Sequence, residues 1–246
     1  MRKSYRELAE EIKTDGERLK LIAALGSSED LAYHYALICE DWAAGGKLLL
    51  ENSFDRHGEA GIVFLLERLR AFGTASKTDA SATAGTATDT AYLAAKILSQ
   101  LRHRDFYVAR AKELAALLTA RWEISDIALR RKQIIALGWI GSEAEVEVLI
   151  DSMESDSDAL CRAWAAAALM QLSFHGVAAD VLRERTKNAF AAAIQKEGDL
   201  NAAGIMMEAA QTLFGKKWIS AAAAEAAETE SIEKARKSAL RFLGKA

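Results

Sequence analysis

Proline is absent from this 246-residue chain, cysteine occurs twice, aromatic residues make up 7%, and neither charge sign prevails. Each absence removes a class of protein. Without proline nothing forces a break in a long helix, and valine and isoleucine seldom alternate with polar residues as strands require, so an all-α chain is expected. Cys39 and Cys161 have no CxxC spacing and suggest no disulfide framework, which fits a reducing compartment. A net charge of -3 supplies no field to draw the whole protein onto nucleic acid or an anionic membrane, so any such contact must be local. No apolar run approaches the length of a membrane span, and the first residues, MRKSYRELAEEI, carry charges where a signal peptide needs an apolar core. A cytoplasmic location with no membrane partner is expected.

What is abundant is alanine, at fifty residues. As the best helix former with almost no bulk, it suits closely packed helices. From Ser142 the apolar residues Val146, Leu149, Ile150 and Met153 fall at i, i+3, i+4 and i+7, one face of a helix. A turn at Ser155-Asp156-Ser157 follows, and a second helix runs from Asp158 to Leu172, so one helical hairpin fills about thirty residues. The segments DIALRRKQIIALG (126–138) and DALCRAWAAAALM (158–170) share an Asp, an Arg four residues on and a Leu seven beyond. The spacing places an acid where it can cap the helix and oppose the Arg one turn later. Second helices of this kind are expected near 30–43, 89–102, 125–139, 158–172, 199–214 and 230–243. Between them GTASKTDASATAGTATD (73–89) lacks large apolar residues and reads as a flexible loop. A hairpin of this kind cannot bury its apolar face alone, so neighbouring pairs must stack.

This pattern resembles HEAT repeats, in particular the short bacterial and phycobilin-lyase-type repeats, and residues 126–172 carry the resemblance best. The resemblance implies a single domain over 1–246, a right-handed α-α superhelix of about six hairpins, whose second helices line a concave face. Counting back from the repeat leucine nominates Leu31 and Tyr35, Tyr92 and Lys96, Arg131 and Ile135, Ala163 and Ala167, Met207 and Gln211, and Lys237 and Arg241 for that groove. Such a surface suits an amphipathic helix or extended peptide, its basic C-terminal end selecting acidic residues.

Other chemistry finds little support. Gly138 and Gly141 follow a helix and precede Glu143, Glu145 and Glu147, which would repel a phosphate; they read as a left-handed helix cap and a turn, with Ser142 capping the next helix. His34, His57, His103 and His175 lie in separate elements and form no metal motif, so no metal and no cofactor is expected. Glu143, Glu147, Asp151 and Glu154 form an acidic stripe, read as a solvated outer face that a basic partner could also engage. Trp122, Asp126, Arg130 and Trp139 resemble in kind the aromatic, acidic and basic residues of HEAT-like DNA glycosylases. The favoured reading is a non-enzymatic scaffold for a protein or peptide partner, with nucleic acid not expected. A glycosylase acting on alkylated bases is the alternative, and a chromophore lyase a third.

Overall fold

Side-chain caps set where the helices start. In the computed structural model, which describes residues 2–75, 93–94, 96–98, 105–120, 127–174 and 176–244, Ser4, Thr14, Asp30, Asp158, Asp199 and Ser220 each accept a hydrogen bond from a backbone N–H in the first turn of the following helix. Each cap satisfies an otherwise orphaned donor and contributes about 1 kcal/mol. The helices are α1 (Tyr5–Glu11), α2 (Asp15–Gly26), α3 (Leu31–Ala43), α4 (Gly58–Ala75), α5 (Asp105–Thr119), α6 (Ile127–Ile140), α7 (Val146–Ser155), α8 (Ala159–Leu172), α9 (Ala179–Lys196), α10 (Leu200–Leu213), α11 (Ala221–Glu225) and α12 (Thr229–Leu243). A 3-10 helix, Leu50–His57, precedes α4. Among the described residues every regular element is helical. Five of the expected second helices coincide with α3, α6, α8, α10 and α12 within a residue or two. Of the sixth, near 89–102, residues 93–94 and 96–98 are described and helical. Residues 73–75 of the expected loop belong to α4, and its remainder lies outside the described residues.

The chain packs as two compact units, 1–114 and 115–246, whose boundary falls within α5. In the first, the 3-10 helix is the hub, touching α2, α3 and α4. Phe54 is fully buried there and meets the rings of Tyr35, Phe64, His34 and His57. The buried Asp41 carboxylate accepts from Tyr5 Oη at 2.9 Å, Leu48 N at 2.9 Å and Leu50 N at 3.2 Å. That clamp binds the amides on either side of Leu49, which adopts a left-handed φ of 54° and keeps its side chain exposed.

In the second unit α6, α8 and α10 pack side by side in succession, α7 packs on α8, and α9 on α7 and α10. Small residues permit this. Ala163, Ala165, Ala166 and Ala168 on α8, and Ala202, Ala203, Gly204, Ala209 and Ala210 on α10, are buried. The last pair departs from the alternation: α11 lies against α10, whereas α12 packs on both α9 and α10.

Two local expectations need correction. Gly138 is not a left-handed cap; it lies inside α6, where an added Cβ would sit 2.7 Å from Ala168 Cα on α8. Its role is close approach of two backbones. Gly141 likewise lacks a positive φ, and a Cβ there would meet the Leu137 carbonyl at 2.5 Å. Ser142 does form the capping interaction, accepting from Ala144 N while Glu145 reaches back to Ser142 N at 2.7 Å.

The Asp-to-Arg spacing also works differently from the expected pairing within one helix. Arg130 makes two hydrogen bonds to Asp156 at 2.7 and 2.8 Å, and Arg131 two to Asp158 at 2.8 Å, so both residues of α6 hold the turn before α8. Arg162 of α8 continues the series, gripping Glu197, the C-cap of α9, at 2.7 and 2.9 Å. Arg236 of α12 donates to the Glu197 carbonyl at 2.8 Å. These bidentate pairs bolt each turn to the preceding or following helix.

Candidate docking face

The exposed surface of the second helices follows from their caps. On α8 the residues that reach solvent in step are Leu160, Trp164, Ala167 and Gln171, spaced i, i+4, i+7 and i+11, while Cys161, Ala163, Ala165, Ala166, Ala168, Leu169 and Leu172 are buried. The equivalent positions on α6, 32 residues earlier (158 − 126), are Lys132, Ile135 and Trp139, all exposed or half-buried. On α10, 41 residues later (199 − 158), they are Asn201, Ile205, Glu208 and Thr212, again exposed or half-buried. Three adjacent helices thus present one row of side chains each on the face not used for packing. Trp164 is 36% exposed, a large apolar surface for a side chain held on a rigid helix.

Of the groove residues nominated from sequence, Ile135 and Ala167 fall on these rows. Tyr35, at 1% exposure, and Met207, at 0%, are core residues and leave the candidate set, as does the buried Ala163. Leu31 is half-buried at the start of α3. Met207 lies inward because the cap at Asp199 sets the register of α10 and turns Ile205 and Glu208 outward, whereas the spacing from Leu213 alone would turn Met207 outward. Arg131 faces the turn and Asp158. Gln211 is engaged with the following segment, accepting from Trp218 N at 2.8 Å and Ile219 N at 3.0 Å. Lys96 pairs with Glu51 and lies 5.3 Å from the Trp42 ring, and Tyr92 lies outside the described residues. Lys237 and Arg241 are exposed on α12.

The four residues nominated for glycosylase-like chemistry do not form a described site. Trp122 and Asp126 lie outside the described residues, Arg130 is engaged by Asp156, and Trp139 is half-buried on the α6 row. In the acidic stripe Glu143, Glu147 and Asp151 are exposed, but Arg185 of α9 bridges to Glu147 at 2.7 Å and to the Glu143 carbonyl at 3.2 Å. Glu154 borders a cleft of about 170 Å³ together with Asp156, Arg162, Lys196 and Glu197, whose charges largely pair with one another.

Charge is arranged with the same regularity. Arg131, opposed by partial burial and aided by the Cys161 N–H, holds the Asp158 carboxyl well below the usual range. Burial pushes Glu197 up, but Arg162 and the Asp199 N–H outweigh it and keep the carboxylate ionised. Glu208 goes the other way, pushed up by burial and by the neighbouring Glu225 of α11. Two histidines that sequence left in separate elements are in fact paired: His34 Nδ1 and His57 Nε2 are 2.8 Å apart, and His34 Nε2 is 3.0 Å from the Leu50 carbonyl. Because a carbonyl only accepts, His34 Nε2 carries the proton, and Nδ1 must accept from His57. Among the described residues no group of three or more His, Cys, Asp or Glu side chains is placed to hold a metal ion. No helix among them is long and apolar enough to cross a membrane.

The stacked hairpins, the helix-to-helix rows and the Arg-acid bolts define an α-helical repeat structure. Residues 81–170 match the family described as HEAT repeats, a HEAT-like segment that includes α6, α7 and α8 as far as Met170. No curated protein and no solved structure matches the chain.

Proposed function

We propose that this protein is a non-enzymatic helical-repeat scaffold that docks a protein or peptide partner on the exposed rows of α6, α8 and α10, the concave face of a right-handed array of about six helical pairs in a single HEAT-like domain. The observation that carries the reading is the alignment of Trp139, Trp164, Ile135 and Ile205 on three successive helices whose other faces are packed. Aromatic side chains held on rigid elements dominate binding energy at protein interfaces, because they bury large area with few rotamers to freeze. The HEAT-repeat match supports the same use of the second helices.

The test replaces Trp164 and Ile135 by glutamate, both at positions where the side chain reaches solvent, so the fold is retained. Capture of the partner from native cell extract should fall by more than tenfold in Trp164→Glu/Ile135→Glu, the loss expected when a central anchor is removed. Unchanged capture by a variant with native circular dichroism would overturn the assignment.

A further inference from the structure

The rows of the docking face differ in charge in a fixed order. The α6 sequence, IALRRKQIIALGWI, holds no carboxylate and places Lys132 in its exposed row. The exposed row of α8 is uncharged: Leu160, Trp164, Ala167 and Gln171. In α10 the sole charged residue is Glu208, in the exposed row, and Glu225 of α11 stands beside it. Among the described residues no basic side chain forms an ion pair with Glu208 or Glu225, although two carboxylates so placed repel each other. The edge of α10 beyond that row is covered by Trp218 to Ile219 and by Ala224, which an added Cβ on Gly204 would meet at 3.1 Å, so the acidic pair marks the end of the face.

Resting on the docking reading above, we infer that the partner segment is bipolar, with an apolar centre over α8, an acidic residue at the end lying on α6 and a basic residue at the end lying on α10 and α11. Packed helices lie 8–10 Å apart, so α6 to α10 spans roughly 16–20 Å. The two partner charges are then separated by roughly 11–13 residues of α-helix, or by about five or six of extended chain. A nucleic acid does not fit this order, because its phosphates would meet Glu208 and Glu225 at one end. Burial and the adjacent Glu225 already push the Glu208 carboxyl up, so a partner cation there relieves a repulsion present in the free protein.

The experiment uses the full chain and three synthetic helical peptides sharing one Leu/Trp stripe: Glu at one end and Lys at the other, Glu at both ends, and Lys at both ends. Fluorescence anisotropy should show the mixed peptide binding about threefold to fivefold tighter than either uniform one. Lys132→Glu should move the preference to the all-Lys peptide, and Glu208→Lys/Glu225→Lys to the all-Glu peptide. Trp164→Ala should weaken all three alike. If the charge reversals leave the order of the peptides unchanged while Trp164→Ala still weakens them, the bipolar assignment is overturned and docking stands. If none of the three binds, or Trp164→Ala has no effect, both fall. Glu208→Gln/Glu225→Gln, which removes charge without adding any, guards against a misfolded reversal variant: it should erase the preference for the mixed over the all-Glu peptide, and retention of that preference overturns the polarity.

Discussion

The two units solve the same packing problem with opposite materials. The first builds its core on rings and buried polar groups, with His34, Tyr35, Phe54 and the Asp41 carboxylate inside and a 3-10 helix as the hub. The second builds on alanine, glycine and methionine inside regular helices and keeps its ionic groups at the turns. A core of rings around an irregular hub depends on a few hydrogen bonds made without replacement. A core of small residues depends on backbones that approach without obstruction.

The sharpest way to break that contrast is to remove one element from each side. Asp41→Ala strands the Leu48 and Leu50 amides and the Tyr5 hydroxyl, and should destabilise the first unit by about 3–5 kcal/mol. Hydrogen exchange should then show protection lost across α1, α3 and the 3-10 helix and retained in α8 and α10. Gly138→Ala reverses the pattern: the new methyl meets Ala168 backbone, which cannot swing aside, and should cost the second unit about 2–3 kcal/mol in urea unfolding. Gly16→Ala on α2, with nothing within 4 Å of its added Cβ, should instead stabilise by up to about 1 kcal/mol.

Acid should separate the units more gently. His34 is held at about 4, against an ordinary 6.5, by burial, opposed by the Leu50 carbonyl and reinforced by His57, whose own pKa burial lowers while Asp55 opposes. A depressed histidine binds fewer protons folded than unfolded, so its contribution is complete above about 6.5 and is lost as pH falls toward 4. The first unit should lose about 2 kcal/mol between pH 7 and pH 5, a slope that His34→Phe removes. Asp158 and Glu197, held low by Arg131 and Arg162, contribute fully above the ordinary carboxylate range, and the second unit should weaken from them only below about pH 4. Exchange protection, corrected for intrinsic rates at each pH, distinguishes the two windows.

The same contrast decided what could be read from sequence. In the second unit the Asp caps of α8 and α10 and the 3.6-residue period leave a trace in the sequence, so α6, α8 and α10 are legible there, and Ile135 and Ala167 fall on their outward rows. Tyr35 failed because an exposed-face rule taken from regular repeats was carried into a unit whose α3 is buried by the irregular Leu50–His57 segment. That segment has no periodic signature, since its position is set by Asp41 and the His34–His57 pair across nine to twenty-three residues of chain. Gly138 was misassigned because a glycine near a helix end looks the same in sequence whether it turns the chain or admits a neighbour. Trp164 and Glu208 were visible all along; counting from the aspartate caps, in place of the leucines, is the signal that finds them.

The contact of Gly138 with Ala168 has a mechanical consequence. Alanine and glycine have no side-chain rotamers, so the joint between α6 and α8 costs almost no side-chain entropy to order and cannot absorb strain by repacking. A displacement of one helix must pass to the next as rigid shear, so the rows of α6, α8 and α10 keep their spacing when the unit flexes.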